Sequence, residues 1–423
     1  MSAADALHKI VEDGMCLGCG LCASLSPDVI TMARGDDGDL RPYAKNSLSE
    51  GDMALINQTC PSMRLEGLPP ELIKTAPHHD TVWGPYHEMS LAHASDDKIR
   101  HQTSTAGILT MLSSYLLTTG LVDGILHVRA ADGSGKEEPA NFGIATISRT
   151  PEDVLAASGS RYGPTAALIN IEEVLSSAET FALVAKPCDL NAMRNLAHLD
   201  ERVTDRIQYW MTILCGGFQP DEAFREFLSD HGLSETGLSE VRYRGFGCPG
   251  PTSLTYQDGQ QTQFHYLDFW GEDESQWSMP LRCKICPDGI GEAADIVAGD
   301  AWDGASPDRT ESETDPGFNT VITRTKQGAA LYEAAINAGV ITKTEDVDCD
   351  YMSRVQPHQV TKKLAGQARI EGLREAGSAA PELVNLRAEA LSNLLGDEAF
   401  NAQKEGTYQR ALKARLTKSD EPF

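Results

Sequence analysis

Residues 181–188, Phe-Ala-Leu-Val-Ala-Lys-Pro-Cys, join a short apolar run to a proline and a cysteine. The run predicts a buried strand that ends before Pro187, because proline interrupts regular structure. Tyr209 to Leu214 has the same apolar character and is followed by Cys215 and two glycines. Each strand therefore brings a thiol to its C-terminal edge, which is the edge where open α/β sheets bind ligands.

Two further cysteines, Cys283 and Cys286, form a Cys-x2-Cys pair. The two-residue gap lets both sulfurs face one metal centre. We therefore predict that Cys188, Cys215, Cys283 and Cys286 meet around an iron–sulfur cluster. The alternative is that Cys188 and Cys215 are ordinary buried cysteines, since free cysteine is among the most buried residue types.

A second cysteine motif lies near the N-terminus, where Cys16, Cys19 and Cys22 form a Cys-x2-Cys-x2-Cys run and Cys60-Pro61 comes later. The run is similar to that of bacterial ferredoxins, in which thiolates surround a [4Fe–4S] cluster and glycines permit the tight turn. Cys60 is the predicted fourth ligand, although it lies much further along the chain than in a ferredoxin run. A structural zinc site is the alternative, but zinc sites usually pair two Cys-x2-Cys knuckles.

The composition limits the class of protein. A chain of 423 residues is long enough for two or three domains. Ten cysteines in a sequence without a secretory signal favour metal or redox chemistry over disulfides. No apolar run approaches the roughly 20 residues that cross a bilayer, so we expect a soluble, cytoplasmic protein. The net charge of −26 opposes binding to nucleic acid and to anionic membranes.

Two segments of small residues are candidates for binding a nucleotide cofactor. In the first, one of the hydroxyl residues 103–105 is the predicted N-cap of a helix that continues past Gly107. Such a helix start attracts phosphates, although most Ser/Thr-rich starts are only caps. The second segment, Ser158 to Pro164, offers small residues for close approach and Arg161 for a phosphate. Its alternative is a surface turn.

The remaining segments carry weaker signals. Residues 62–82 predict a linker with two solvated histidines, and Val122 to Val128 predicts a strand. Cys248 is a candidate substitute ligand in a glycine-rich turn, and Asp295 and Asp300 are candidate catalytic acids, although acids at strand ends are more often turn formers. From Pro381 the apolar spacing predicts a helix that stops at Gly396, followed by polar residues 397–423 that fray.

With these motifs in place, the sequence resembles the coenzyme F420 hydrogenase/dehydrogenase beta subunit family, which also contains plant 7-hydroxymethyl chlorophyll a reductase and a ferredoxin-dependent 8-vinyl reductase. The resemblance runs from about Gly84 to Asp346. It rests on the helix start at Ser104 to Gly107, the patch at Gly159 to Tyr162 and the order of the four later cysteines. Where the family has Gly-Thr before Pro-Cys, this chain has Ala185-Lys186, which puts a cation beside the predicted cluster. That cation either raises the cluster potential or faces solvent.

The resemblance implies an iron–sulfur flavoprotein of mixed α/β class with FAD and two [4Fe–4S] clusters. The implied cofactor-binding residues are Ser104, Thr105, Ala106, Gly107, Ser160, Arg161 and Tyr162. The predicted cluster ligands are Cys16, Cys19, Cys22, Cys60, Cys188, Cys215, Cys283 and Cys286. The implied divisions are a ferredoxin-like segment (1–75), an FAD-binding domain (83–166), a domain with the second cluster (167–350) and a helical tail (360–423).

These cofactors predict an oxidoreductase that passes electrons between the clusters and FAD and reduces or oxidises an organic substrate, with ferredoxin as donor. The first alternative is an F420-oxidising or F420-reducing subunit of a larger complex, and the second is a zinc-stabilised scaffold without activity. Tyr162, Asp288, Asp300 or a water is the proton donor at the flavin. Because ferredoxins are also acidic, docking would need a basic patch, for which the candidates are Lys98, Arg100, Arg282 and Lys284.

Overall fold

The computed structural model describes residues 3–133, 138–274 and 276–418. Its α-helices are α1 (Ala3–Glu12), α2 (Leu21–Leu25), α3 (Glu50–Thr59), α4 (Pro70–Ile73), α5 (Asp97–Gln102), α6 (Ile108–Thr118), α7 (Pro151–Ala156), α8 (Ile171–Ser176), α9 (Pro187–Ala197), α10 (Arg202–Arg206), α11 (Asp221–Asp230), α12 (Tyr266–Trp270), α13 (Leu281–Lys284), α14 (Lys326–Asn337), α15 (Cys349–Val355), α16 (Pro357–Glu375), α17 (Ala388–Leu395) and α18 (Asp397–Lys418). Its strands are β1 (Ile30–Arg34), β2 (Leu40–Ala44), β3 (Arg64–Glu66), β4 (His78–Asp80), β5 (Gly84–Tyr86), β6 (Glu88–Ala94), β7 (Gly124–Ala130), β8 (Gly143–Ser148), β9 (Phe181–Val184), β10 (Ile207–Ile213), β11 (Leu238–Arg242), β12 (Pro251–Tyr256), β13 (Gln261–His265), β14 (Ile296–Asp300), β15 (Asn319–Thr323), β16 (Ile341–Asp346) and β17 (Glu382–Val384).

The largest sheet has eight strands in the order β16-β6-β15-β14-β10-β9-β7-β8. Its centre is parallel, because β10 pairs in parallel with both β14 and β9, and β9 pairs in parallel with β7. Antiparallel pairs complete the sheet on both sides. The carboxyl ends of β9, β10 and β14 therefore meet at one edge, where the chain continues to Cys188, Cys215 and Asp300.

Both faces of this sheet are buried. Phe181 and Leu183 of β9 pack with α8 and α9 on one face, whereas Ala182 packs with α6 and α14 on the other. A strand buried on both sides is apolar at every position instead of at every second one, and this explains the continuous apolar run from residue 181. The mixed α/β class and the two strands expected before Cys188 and Cys215 are confirmed.

The N-terminal segment and the C-terminal helices share one core. Leu7, Ile10 and Met53 of the N-terminal helices pack with Leu373 of α16 and Ala411 of α18. The expectation that residues 397–423 fray is therefore wrong for residues 397–418, which form α18. Residues 419–423 lie outside the described ranges.

Two other segments differ from the sequence expectation. Residues 62–82 are not a plain linker, because β3, α4 and β4 lie within them and Leu65 is fully buried. The stretch after Pro381 begins as β17, which pairs in parallel with β3, and the helix starts only at Ala388. A three-residue strand whose partner lies far away in sequence has no periodic signal of its own, so the apolar spacing alone suggested a helix.

A three-stranded antiparallel sheet, β11-β12-β13, carries an aromatic core that includes Tyr243, Tyr266, Phe269 and Trp270. The hairpin between β12 and β13 turns at Asp258-Gly259, a dipeptide typical of tight hairpin turns. Across the described ranges, no helix combines the length and the apolar character needed to cross a membrane.

Candidate functional site

A cavity of about 310 Å³ opens at the carboxyl edge of the large sheet, and we call it the large cavity. The segments that end β9, β10 and β14 form its floor, in keeping with the usual ligand position in α/β sheets. Both small-residue segments singled out in the sequence line its walls. Of the residues expected to bind a flavin, the lining contains Ser104, Thr105, Gly107, Ser160, Arg161 and Tyr162, while Ala106 is buried behind it.

A hydrogen bond joins the two small-residue segments directly. The Ser160 backbone N–H donates to Ser104 Oγ at 2.6 Å. The Ser104 hydroxyl thus accepts a hydrogen bond from the second segment and does not cap the helix. The N-cap of α6 is Gly107, with φ of 81°, and it makes no side-chain capping bond. The expectation that residue 103, 104 or 105 caps the helix is wrong.

Arg161 is a partly buried cation on the wall of the large cavity. Its Nη1 donates to Val241 O at 2.7 Å, whereas its Nε has no hydrogen-bond partner among the described residues. Burial lowers the pKa of Arg161 to about 10. A buried guanidinium with an unused donor is costly unless an anionic group accepts from it. The site therefore suits a phosphate or another anion.

A second cation, Arg244, is fixed deeper in the same cavity. Its guanidinium forms a bidentate ion pair with Asp300, with N–O distances of 2.9 and 3.0 Å. The guanidinium carbon also lies 5.2 Å from the ring centre of Tyr266 and 4.8 Å from that of Trp302. Burial alone would lower the pKa of Arg244, but Asp300 holds it well above the ordinary value. Thr105 Oγ1 donates to Asp300 Oδ1 at 2.5 Å, so the first small-residue segment is anchored to this pair.

Aromatic rings supply one part of the cavity wall. The ring centres of Tyr162 and Trp270 are 4.7 Å apart, and the rings of Tyr266 and Trp270 are stacked with their centres 6.3 Å apart. Flat apolar walls with a few fixed charges suit a planar conjugated ligand. Sequence reasoning missed Arg244, Tyr266 and Trp270. For Arg244 a weak signal existed in the glycine-rich turn around it, but the two aromatic residues had none.

The N-terminal cysteine site consists of Cys16, Cys19, Cys22 and Cys60, which together line a cavity of about 40 Å³. Cys22 lies on α2, which starts after Gly20 with φ of 85°. A Cβ on Gly20 would lie 3.1 Å from Ala166 Cβ, so glycine is needed there for close packing. Cys60 is the C-cap of α3. The late fourth cysteine is thus brought beside the other three by a helix and not by a short loop.

The central cysteine site consists of Cys188, Cys215, Cys283 and Cys286, which line a cavity of about 20 Å³. Cys188 lies in the first turn of α9, where backbone N–H groups are unpaired and negative charge is favoured. Cys215 follows β10, and its backbone N–H donates to Gly289 O at 2.8 Å. The four cysteines expected to meet in space therefore do so, from three separate segments.

Burial raises the pKa of thiols at each of the two sites. At the N-terminal site, burial raises the pKa of Cys60 to about 11, and Cys16 adds to the effect. At the central site, burial raises the pKa of Cys215 to about 12, with a contribution from Cys283 and Cys286. Buried thiols with raised pKa values are stabilised as thiolates by a bound cation or cationic cluster.

The set of donor atoms limits which metal group each cysteine site could bind. Among the described residues, no three Cys, His, Asp or Glu side chains are arranged to hold a single metal ion. In a cubane cluster each of four thiolates binds a different iron, and a set of four thiolates can hold either such a cluster or a zinc ion.

The two cysteine sites and the large cavity are neighbours. Leu17 lines both the N-terminal and the central site. Arg282 lies beside them, since its Nη2 donates to Pro61 O at 2.9 Å while its neighbour Cys283 belongs to the central site. On the opposite side, Cys215 and Gly216 line both the central site and the large cavity.

Lys186 also lies between the central site and the large cavity. Its Nζ is 3.0 Å from Asp189 Oδ2. Burial alone would lower the pKa of Lys186, but Asp189 and Cys188 hold it above the ordinary value. Of the two alternatives for this residue, the structure favours a cation beside the cysteines over a solvent-facing side chain.

Other sequence candidates lie elsewhere. Arg282 is 1% exposed, so it does not belong to a basic docking patch. Cys248 accepts a hydrogen bond from Trp302 Nε1 at 3.3 Å and lines neither cysteine site. Asp295 binds the Trp210 backbone N–H at 2.8 Å within the sheet and does not line the large cavity. Its role is structural, because it fixes adjacent strands.

The proton-donor candidates separate in the same way. Tyr162 and Asp300 line the large cavity, whereas Asp288 lies at the central cysteine site. Asp288 is 1% exposed and accepts from Asn191 Nδ2 at 2.7 Å. Asn191 also donates to Pro187 O at 2.9 Å, so Asp288 supports the turn that carries Cys188.

Together these features define a mixed α/β protein with two buried four-cysteine sites beside a large aromatic cavity. Comparison with known proteins supplies the family. The description "Coenzyme F420 hydrogenase/dehydrogenase, beta subunit N-term" matches residues 89–171, and the corresponding C-terminal description matches residues 178–348. The chain belongs to the coenzyme F420 hydrogenase/dehydrogenase beta subunit family. The span expected from the sequence, Gly84 to Asp346, agrees with these matches.

Individual relatives are distant in sequence. The chain is 24% identical over 316 residues to the coenzyme F420 hydrogenase subunit beta of Methanothermobacter thermautotrophicus, covering 71% of this chain and 99% of the relative. It is 23% identical over 347 residues to the coenzyme F420-dependent sulfite reductase of Methanocaldococcus jannaschii, covering 78% of this chain but only 47% of that protein. It is 28% identical over 213 residues to the beta subunit of F420-dependent formate dehydrogenase 1 of Methanococcus maripaludis, covering 50% of this chain and 51% of the relative.

A solved structure shares the fold. A chain of the F420-reducing [NiFe] hydrogenase complex from Methanosarcina barkeri aligns with a TM-score of 0.52 at 20% identity, covering 70% of this chain and 95% of that one. The relatives are named as oxidoreductases or their subunits, so the comparisons support oxidoreductase chemistry. They support the F420-linked alternative better than the stand-alone ferredoxin-linked reductase. The resemblance to the chlorophyll reductases stays a prediction.

Proposed function

We propose that the protein is an F420-linked oxidoreductase subunit that holds FAD in the large cavity and one [4Fe–4S] cluster at each cysteine site. The observation that carries this proposal is the order of the three sites in space. The central cysteine site shares Leu17 with the N-terminal site and shares Cys215 with the large cavity. A flavin exchanges two electrons and a hydride, whereas each cluster exchanges one electron.

The large cavity has the groups that FAD requires. Arg161 puts a guanidinium on the wall that can pair with a phosphate, and the small residues beside it leave room for close approach. Trp270, Tyr162 and Tyr266 provide flat apolar walls that exclude water from a planar ring system. Arg244 and Asp300 hold each other rigidly, so they can orient a bound ligand without moving.

The residues between the large cavity and the central site favour electron transfer into the central site. Lys186, paired with Asp189, puts a positive charge between the large cavity and Cys188. A cation there stabilises a cluster in its more negative reduced state. For a proton, Tyr162 and Asp300 are the candidates, since both line the large cavity. Asp288 is not, because it supports the turn at Cys188.

The substrate of the flavin is proposed from the names of the relatives. The hydrogenase, formate dehydrogenase and sulfite reductase relatives are all named for coenzyme F420. A conjugated coenzyme of this kind suits the aromatic wall of the large cavity. The relatives named as subunits also favour a partner that supplies or receives the electrons at the N-terminal site. A second candidate is a stand-alone reductase with ferredoxin as donor, which is favoured by the two cysteine sites in one chain.

The test uses anaerobically purified full-length protein. We expect extracted FAD, and we expect reduced F420 to bleach the flavin and then to support reduction of a one-electron viologen dye. Arg161→Gln should lower flavin content while leaving iron content unchanged, because Arg161 faces only the large cavity. Arg149→Gln is the control, since Arg149 forms an exposed pair with Glu179 and lines none of the three sites. Flavin that is reduced by ferredoxin but not by F420 would favour the second candidate, and protein that binds no flavin would refute both.

A further inference from the structure

Helix α16 borders the proposed redox site although it lies beyond the residues that define the family. The matched residues end at 348, and α16 spans Pro357–Glu375. Gln359, in its first turn, donates from Nε2 to Cys215 O at 2.8 Å and is 1% exposed. Gly366, two turns later, packs so closely on Pro287 that a Cβ would lie 2.6 Å from it. The helix therefore packs against Cys215 and Pro287, beside the central cysteine site.

Lys362 is the charged residue that α16 brings to this site. Its Nζ donates to Gly216 O at 2.9 Å, and the residue is 5% exposed. Gly216 follows Cys215 and lines both the central site and the large cavity. The positive charge of Lys362 therefore lies at the junction of the two.

The charge of Lys362 is not neutralised by a neighbouring carboxylate. The next residue, Lys363, forms an ion pair with the buried Glu292, but within the described ranges Lys362 has only a carbonyl as partner. A buried cation without an anion is costly, so its counter-charge has to come from nearby groups. The groups nearby that are anionic when a cluster is bound are the thiolates of the central cysteine site, which include Cys215, the residue directly before Gly216.

We propose that Lys362 is a positioning residue that supplies counter-charge to the central cysteine site and raises the reduction potential of the cluster held there. The inference rests on the proposed function. Reduction adds one negative charge to a cluster, and a fixed buried cation stabilises that charge more than the oxidised state. Lys186 and Arg282 are further cations at the same site: Lys186 is paired with Asp189, whereas Arg282 donates to Pro61 O and also lies beside Cys286. Of these three cations, Lys362 is the one that donates to Gly216 O.

The experiment compares three variants by redox titration, monitored by electron paramagnetic resonance, of anaerobically prepared protein. Lys362→Gln removes the charge but keeps a donor for Gly216 O, whereas Lys362→Arg keeps the charge. Lys326→Gln removes an exposed lysine from α14 and controls for net charge. We expect Lys362→Gln to lower the equilibrium constant for reduction of one cluster about tenfold, which is about 59 mV for one electron. Lys362→Arg and Lys326→Gln should stay close to the wild type.

Each outcome decides the proposal. If Lys362→Gln loses the iron of one cluster while Lys362→Arg keeps it, the charge is required at the site and the proposal is supported. Equal potentials in the wild type and Lys362→Gln would overturn it, as would equal losses in Lys362→Gln and Lys362→Arg, because packing and not charge would then be the cause. Wild-type protein without iron would refute the proposed function itself, so the two failures are distinguishable.

Discussion

Glu292 provides a quantitative test of the structure around the central cysteine site. It is 1% exposed, and it accepts two bonds from Arg387, at 2.6 and 2.8 Å, and one from Lys363. Arg387 precedes α17, and Lys363 belongs to α16, so Glu292 ties both helices to the segment that carries Asp288. Glu292→Gln should therefore loosen the attachment of the C-terminal helices to the sheet.

The magnitude follows from the pKa of this carboxyl group. Burial alone would raise the pKa, but Lys363 and Arg387 lower it from 4.5 to about 2. At about 1.4 kcal/mol for each pH unit, this corresponds to about 3 kcal/mol of stability. Removing one partner of a buried ion pair costs a similar amount, about 3–5 kcal/mol.

The pH dependence has a definite sign. Because the folded pKa of Glu292 is lowered, its contribution is complete above about pH 4.5 and is lost as pH falls toward about 2. The stability difference between the wild type and Glu292→Gln should therefore be constant from pH 6 to 8 and should shrink in acid. A difference that grows in acid would contradict the assignment.

Urea unfolding followed by tryptophan fluorescence measures this effect. With a slope of about 3 kcal/mol per molar urea, the midpoint of Glu292→Gln should fall by about 1 M at pH 7. The matched control is Glu172→Gln, which breaks a bidentate pair with Arg202 in which both side chains are about 40% exposed. Exposed pairs contribute about 0–1 kcal/mol, so this midpoint should move little. Equal shifts in the two variants would refute the reasoning.

Two further changes test the large cavity. Asp300→Asn removes the charge partner of the buried Arg244, so it should lower the free energy of unfolding by about 2–3 kcal/mol. In a thermal unfolding scan, the melting temperature should fall by several degrees. The control, Asp308→Asn at an exposed turn, should leave the melting temperature unchanged. Gly107→Ala places a residue with a side chain at φ of 81° and puts its Cβ 3.0 Å from Thr103 Oγ1. This change should lower the free energy of unfolding by about 1–2 kcal/mol and reduce the flavin that stays bound during gel filtration. Unchanged melting of Asp300→Asn, or full flavin content in Gly107→Ala, would contradict these assignments.

The sequence was informative where a local pattern has a direct geometric consequence. The strand before Cys188 could be predicted because both of its faces are buried and its residues are apolar throughout. Once β9 and β10 were expected to be parallel, their following cysteines had to lie at one edge. The Cys-x2-Cys pair and the ferredoxin-like run carry their own spacing, so the eight cysteines could be divided into two sites before the fold was known.

Contacts made across long sequence separations could not be predicted in this way. Lys362 donates to Gly216 O from a helix nearly 150 residues later, and nothing in the lysine-rich start of α16 indicates that partner. Arg282 stands next to Cys283 and was expected on the surface, yet it donates to Pro61 O in the interior. The cap of α6 was misassigned because Ser104 and Thr105 bind Ser160 and Asp300 instead of the helix end. Polar side chains with several available partners give no local signal of which one they choose.

The central claim is that the two cysteine sites hold two separate [4Fe–4S] clusters. Iron and acid-labile sulfide counts on anaerobically purified protein test it most directly, with Cys19→Ala and Cys283→Ala as one variant for each site. The account predicts about eight iron atoms per chain for the wild type and about four for each variant. Wild-type protein with about one or two zinc atoms and no iron, or a variant that keeps all its iron, would contradict it.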